Sequence, residues 1–105
     1  MALIDTPAMA LDRLGSVTAE LDSGQLHLVR EGDQVQRIDG HPAKTRAPTV
    51  TEEGDYFLIV GQMIARGQLF GIEAVVRKDG GVDMVDNYPE GSSGVRLIAP
   101  ASFPR

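Results

Sequence analysis

The hydrophobic pattern is densest over residues 55–86, the most apolar, most β-branched and most turn-punctuated part of the chain. Residues 57–65 are apolar or β-branched apart from Gly61 and Gln62, and residues 69–76 form a second such run. Arg66-Gly67-Gln68 lies between them as a turn signal, so the two runs predict a β-hairpin. A two-residue II′ turn on Gly67-Gln68, which takes glycine first, sets Ala65 against Phe70, Met63 against Ile72, Gly61 against Ala74 and Ile59 against Val76. The same register places Gln62 opposite Glu73, matching the two interior polar residues. A turn on Arg66-Gly67 keeps the same faces but sets Val60 against Glu73; the first register is preferred. A helix over 56–66, capped by Asp55 and ended at Gly67, competes. Four successive apolar residues at 57–60 and the β-branched Ile59, Val60 and Ile64 favour the strand, as does Gly61, which costs a helix about 1 kcal/mol. Lys78-Asp79-Gly80-Gly81 then turns the chain into a short strand at 82–85. The result is an antiparallel meander with apolar residues on both faces.

Upstream, Thr6-Pro7 opens a helix, with Thr6 as N-cap, proline in the first turn and Gly15 just past the end. The predicted helix, 7–14, is about two turns and needs a surface to pack on, such as one end of a barrel or sandwich. Residues 17–21 alternate, with Val17, Ala19 and Leu21 on one face, and read as a strand. A turn at Ser23-Gly24 pairs it with 25–30, setting Glu20 against His27. After Glu31-Gly32-Asp33 comes a further strand at 34–38, which completes an amphipathic first meander.

Residues 39–55 have no period, two prolines and two glycines. A connection this long tends to be a functional or binding loop. Within it, residues 47–51 suit an extended edge segment, because a residue before proline avoids helical geometry. Residues 86–94 read as a loop, 95–99 as a last strand and 100–105 as an extended tail. The expectation is a single mainly β domain over 1–105: a small antiparallel barrel or sandwich of six or seven strands with one short N-terminal helix.

Composition narrows the functions. Residues 1–50 carry 7 acidic and 5 basic side chains and 51–105 carry 8 and 5, for a net charge of −5 without a basic stripe. Nucleic-acid binding needs clustered Lys and Arg, so no nucleic-acid partner is expected. With no Trp and only 2 Tyr and 3 Phe, stacking platforms for bases are not expected either. The absence of cysteine removes disulfides, thiolate metal sites and a thiol nucleophile. No apolar run reaches the ~20 residues of a helical span, and the N-terminus lacks a signal-peptide pattern. A cytoplasmic protein, or one assembled into a particle from a cytoplasmic pool, is expected, with no membrane contact.

Candidate chemistry is sparse. His27 and His41 are the only histidines; neither sits at a metal-ligand spacing, and convergence with Glu20 is not required by the sequence. No serine lies in a Gly-x-Ser-x-Gly elbow. Asp79-Gly80-Gly81 precedes no helix and so is no phosphate cradle. Asp83 and Asp86 lack the calcium-loop pattern, and Glu52, Glu53 and Asp55 read as a solvated acidic stretch. No catalytic residue, cofactor or metal is therefore assigned.

The reading is a non-enzymatic structural or assembly protein, of the kind found as accessory components of virus or phage particles and other large complexes. It would work as a homo-oligomer or as one subunit among protein partners. The predicted contact residues are Lys44, Arg46, Pro48 and Val50 in the long loop and Phe103 in the tail. A small chaperone, immunity protein or inhibitor is the first alternative. A small-molecule-binding barrel is the second, in which Gly61 and Gly71 would let a ligand approach the backbone.

Overall fold

The computed structural model describes residues 3–21 and 25–98, and for 91–93 the backbone alone. The chain enters its helix where the cap chemistry requires. The Thr6 hydroxyl accepts the Met9 N–H at 3.2 Å and Pro7 occupies the first turn. The helix α1 spans Pro7–Glu20, 14 residues, and does not stop at Gly15. Ala10, Leu14, Gly15 and Thr18 form its buried stripe, a helical repeat of four that overrides the short alternation at 17–21. Thr18 is accommodated by bonding its hydroxyl to the carbonyls of Leu14 and Gly15, both at 3.0 Å. Residues 17–20 of the strand expected at 17–21 are thus the last turn of α1, with Leu21 as its C-cap, and the pairing of Glu20 with His27 does not exist. The turn expected at Ser23-Gly24 lies outside the described residues.

Seven strands follow among the described residues: β1 (Leu26–Val29), β2 (Val35–Arg37), β3 (Thr49–Glu53), β4 (Tyr56–Ala65), β5 (Gln68–Arg77), β6 (Val82–Ser93) and β7 (Val95–Leu97). They form two antiparallel sheets, one of five strands and one made of β2 and β7. The barrel is not closed; the arrangement is sandwich-like. In the large sheet β4 pairs with β5 along one edge. Its other edge is divided, with β3 on residues 56–60 and β1 on residues 62–65. The first meander is therefore not formed: β1 joins the large sheet, whereas β2 leaves after the turn at Gly32 and pairs with β7.

The central hairpin is a strand pair, but its turn sits on Arg66-Gly67. Both residues have positive φ, 52° and 77°, as a I′ turn requires. The register is consequently the alternative one, with Ala65 opposite Gln68, Gly61 opposite Ile72 and Val60 opposite Glu73, two residues from the preferred one, and Gln62 faces Gly71. Gly71 has a packing reason: a methyl group there would run into the Tyr88 ring.

The third strand of this meander is much longer than 82–85. β6 continues through Asn87-Tyr88-Pro89-Glu90, read from sequence as a loop, and is 12 residues long. Proline is tolerated because β6 lies at the sheet edge, where a missing N–H breaks no ladder. The register slips between Glu73 and Ala74 and again between Gln68 and Phe70, so the strand is bulged twice. Residues 39–55 likewise contain β3, extended as expected but displaced to Thr49–Glu53.

Each face of the large sheet has its own cover. Phe57, Ile59, Met63, Ile72, Ala74, Val76 and Leu28 form the main core with Ala10 and Leu14 of α1. The helix therefore lies across a sheet face and does not plug a barrel end. On the opposite face Val29, Ile64 and Leu69 pack with Val35 and Val95 of the small sheet. The small sheet reaches only the hairpin-turn end, so among the described residues no element covers the other half of that face.

Candidate interaction surface

The chain between β2 and β3 first doubles back on β2, where the Arg37 N–H donates to the His41 carbonyl and the Ala43 N–H to the Val35 carbonyl. His41 is a loop residue. Its N–H donates to Asp39 Oδ1 at 3.1 Å, and this bond is the main cause holding the Asp39 carboxyl below its ordinary range. His27 lies opposite Ile64 on β1. Among the described residues no group of three or more His, Asp or Glu side chains is placed to hold a metal ion.

Residues 44–48 then form a strap across the large sheet, and Gln62 is its anchor. The Gln62 side chain, fully buried in the middle of β4, accepts the Arg46 N–H at 2.8 Å and donates to the Lys44 carbonyl at 3.3 Å. It also donates to Glu90 Oε2 at 3.1 Å. Glu90, from β6, closes the network by taking both ends of the Arg46 guanidinium, at 3.1 and 3.0 Å, a bidentate geometry that fixes orientation as well as charge. The hydrogen bond from Arg46 is the chief cause holding the Glu90 carboxyl below its ordinary range; burial opposes it and Gln62 adds to it. Glu90 in turn raises the Arg46 pKa.

These contacts place the predicted contact residues. Lys44 and Arg46 expose their side chains on a strap tied to its own body. Pro48 is half-buried beside Gly61, where an added Cβ would stand 3.0 Å from the proline Cβ. Val50 lies opposite Ile59 and packs against the main core. Phe103 lies outside the described residues. The space beside Gly61 is thus occupied by Pro48, and that over Gly71 by Tyr88. Gln62 and Glu90 are the residues that sequence reasoning missed. The one signal for Gln62 was a lone polar residue in an apolar run, but the assigned partner, Glu73, was wrong.

Beyond the strap the uncovered half-face carries Tyr56, Leu58 and Val60 of β4, Val75 of β5 and Tyr88 of β6. Tyr56, Val60 and Tyr88 are 37, 38 and 45% exposed, and the bulged Val85 beside them is 55% exposed. Glu73 and Asp86 stand directly opposite each other on this face, a like-charge pairing that weakens a sheet. The outer edge of β6 pairs with no strand among the described residues. No helix is long and apolar enough to cross a membrane. Comparison with known proteins gave no matching family model, no matching curated protein and no matching solved structure, so the functional reading rests on this surface.

Proposed function

We propose that the protein is a non-enzymatic assembly component that binds a neighbouring protein through the uncovered half-face and the adjoining edge of β6. The carrying observation is the conjunction of Tyr56, Val60, Val85 and Tyr88, all exposed, with a 12-residue edge strand whose outer side pairs with no strand among the described residues. Such an edge offers backbone hydrogen bonds for strand addition, and neighbouring side chains supply selectivity. The bulge at Val85 and Pro89 interrupt the edge, which limits unspecific self-pairing. The Glu73–Asp86 pair favours a neighbour that brings a Lys or Arg to this face, and disfavours the same edge of a second copy. Lys44 and Arg46 stand on the strap as further contacts. In this reading the protein is one subunit of a large complex, as accessory proteins of virus or phage particles are.

Val60→Lys tests it. A lysine opposite Glu73 forms a favourable cross-strand pair, so stability should stay within about 0.5 kcal/mol of wild type, while the apolar patch is broken. Tagged protein is recovered from its native source and bound proteins are counted by mass spectrometry. A major partner in fixed, high copy number, lost with Val60→Lys, is the expected result. A single partner in a small complex favours the chaperone or inhibitor reading. A monomer with no stoichiometric partner refutes both.

A further inference from the structure

The half-face that no element covers among the described residues has its charges on two flanks. Cross-strand register puts Glu53 beside Tyr56 on one flank, and Glu73 and Asp86 beside Val60 on the other. Apolar Tyr56, Leu58 and Val60 run along β4 between them, with Val75 next to Leu58. Glu53, Glu73 and Asp86 have no ion pair or side-chain hydrogen bond among the described residues. Nearby cations are already engaged: Arg77 with Asp79 and Asp83, Arg46 with Glu90, and Lys78 with Glu52. Charge on an edge strand such as β6 can serve simply to block self-pairing. That does not account for Glu73, which is half-buried on the interior strand β5 and faces Asp86, where like charges weaken the sheet. A local rule broken at such a cost, on a face with an apolar centre, is a mark of a functional surface.

The dimensions fit one kind of occupant. Two to three strand spacings, about 10–14 Å, separate the acidic flanks, close to the diameter of a helix with its side chains, about 10–12 Å. Tyr56 to Val60 spans about 13 Å of β4, the rise of about nine helical residues. A segment laid on a sheet face must satisfy its own backbone hydrogen bonds, as a helix does and a lone strand does not. We propose that a basic amphipathic helix of a partner protein docks here, its apolar stripe on Leu58, Val60 and Val75, its lysines or arginines against Glu53 on one flank and Glu73 and Asp86 on the other. The inference rests on the reading of this face as a protein-docking surface, and adds the chemistry of what docks.

The test is a titration of isotope-labelled full-length protein, followed by amide chemical shifts, with three peptides of about 14 residues, long enough to form a helix on binding. One has Leu and Lys in a helical pattern, one has Leu and Glu in the same pattern, and one alternates Val and Lys. Saturable shifts at Leu58, Val60, Val75 and Asp86 are expected with the helical Leu/Lys peptide, weakening as salt is raised. The other two should bind at least about tenfold more weakly. Glu73→Gln and Asp86→Asn should each weaken binding about fivefold. Their urea midpoints should not fall, because each substitution removes a like-charge contact, and this separates lost binding from lost folding. Equal binding of the Leu/Glu or the alternating peptide, or unchanged affinity in both variants, would overturn the proposal. So would shifts at the same residues when the protein alone is concentrated, which would make a second copy the occupant. A native partner lost with Val60→Lys but retained by both Glu73→Gln and Asp86→Asn overturns the basic helix and leaves the docking face standing. Absence of any partner refutes the docking face as well.

Discussion

Removing the Gln62 amide should loosen the whole strap. In Gln62→Leu the side chain stays apolar and similar in size, but its three hydrogen bonds, to the Arg46 N–H, the Lys44 carbonyl and the Glu90 carboxylate, are gone. The two neutral bonds contribute about 1 kcal/mol each and the charged one about 2 kcal/mol. Apolar burial of leucine returns about 1 kcal/mol, so the net loss is about 3 kcal/mol. Urea unfolding followed by circular dichroism reads this as a fall in midpoint of about 2–3 M for a chain of this size. Gln62→Glu supplies a sharper signature. A buried carboxylate beside Glu90 has its pKa raised on folding. Its contribution is therefore most favourable below the unfolded-state value of about 4.3 and is lost as pH rises through the folded-state value. Stability of Gln62→Glu should fall from pH 4 to pH 7. A Gln62→Leu protein within about 0.5 kcal/mol of wild type, or a Gln62→Glu protein whose stability rises with pH, would refute the anchoring role.

The wild-type strap should respond to acid in the opposite sense. Because the Arg46 guanidinium holds the Glu90 carboxyl below its ordinary range in the folded protein, its stabilisation is complete above the unfolded-state value and is lost as pH falls through the folded one; the Arg46 amide shift across an acid titration reads it. Gly61→Val should destabilise by about 2–3 kcal/mol, because the Pro48 ring already occupies the space a side chain needs; urea midpoints at pH 7 test this, and an unchanged midpoint counts against the close approach. Val60→Lys should leave stability nearly unchanged while abolishing partner recovery, as set out above.

The hairpin of β4 and β5 was legible because its two apolar runs and their turn are local. So was the start of α1, where Thr6 and Pro7 leave little choice. The end of α1 was not: Gly15 reads as a terminator, and only contact with the sheet makes the stripe through Ala10, Leu14 and Thr18 outweigh it. Pro89 hid the second half of β6, since a proline ends a central strand but not an edge strand. The pairing of β2 with β7 joins residues 35–37 to 95–97, and nothing in either short segment encodes the other. In the candidate site the oddness of residues 39–55 was visible, and so was Gln62 as a polar residue among apolar ones. That the two belong together was not, because a side chain that bonds a distant backbone leaves no spacing to recognise.

The divided edge of β4 also orders the folding reaction. β3, β4, β5 and β6 are joined by short turns, so their ladders close small loops and form early. β1 must find residues 62–65 across 33 or more positions of chain, from Val29 to Gln62, and α1 has no surface to pack on until the sheet exists. Substitutions at Leu28 or Leu14 should therefore accelerate unfolding and leave the folding rate nearly unchanged, whereas substitutions at Ile59 or Ile72 should slow folding. Stopped-flow measurement of both rates distinguishes this order from one in which α1 and β1 nucleate the sheet.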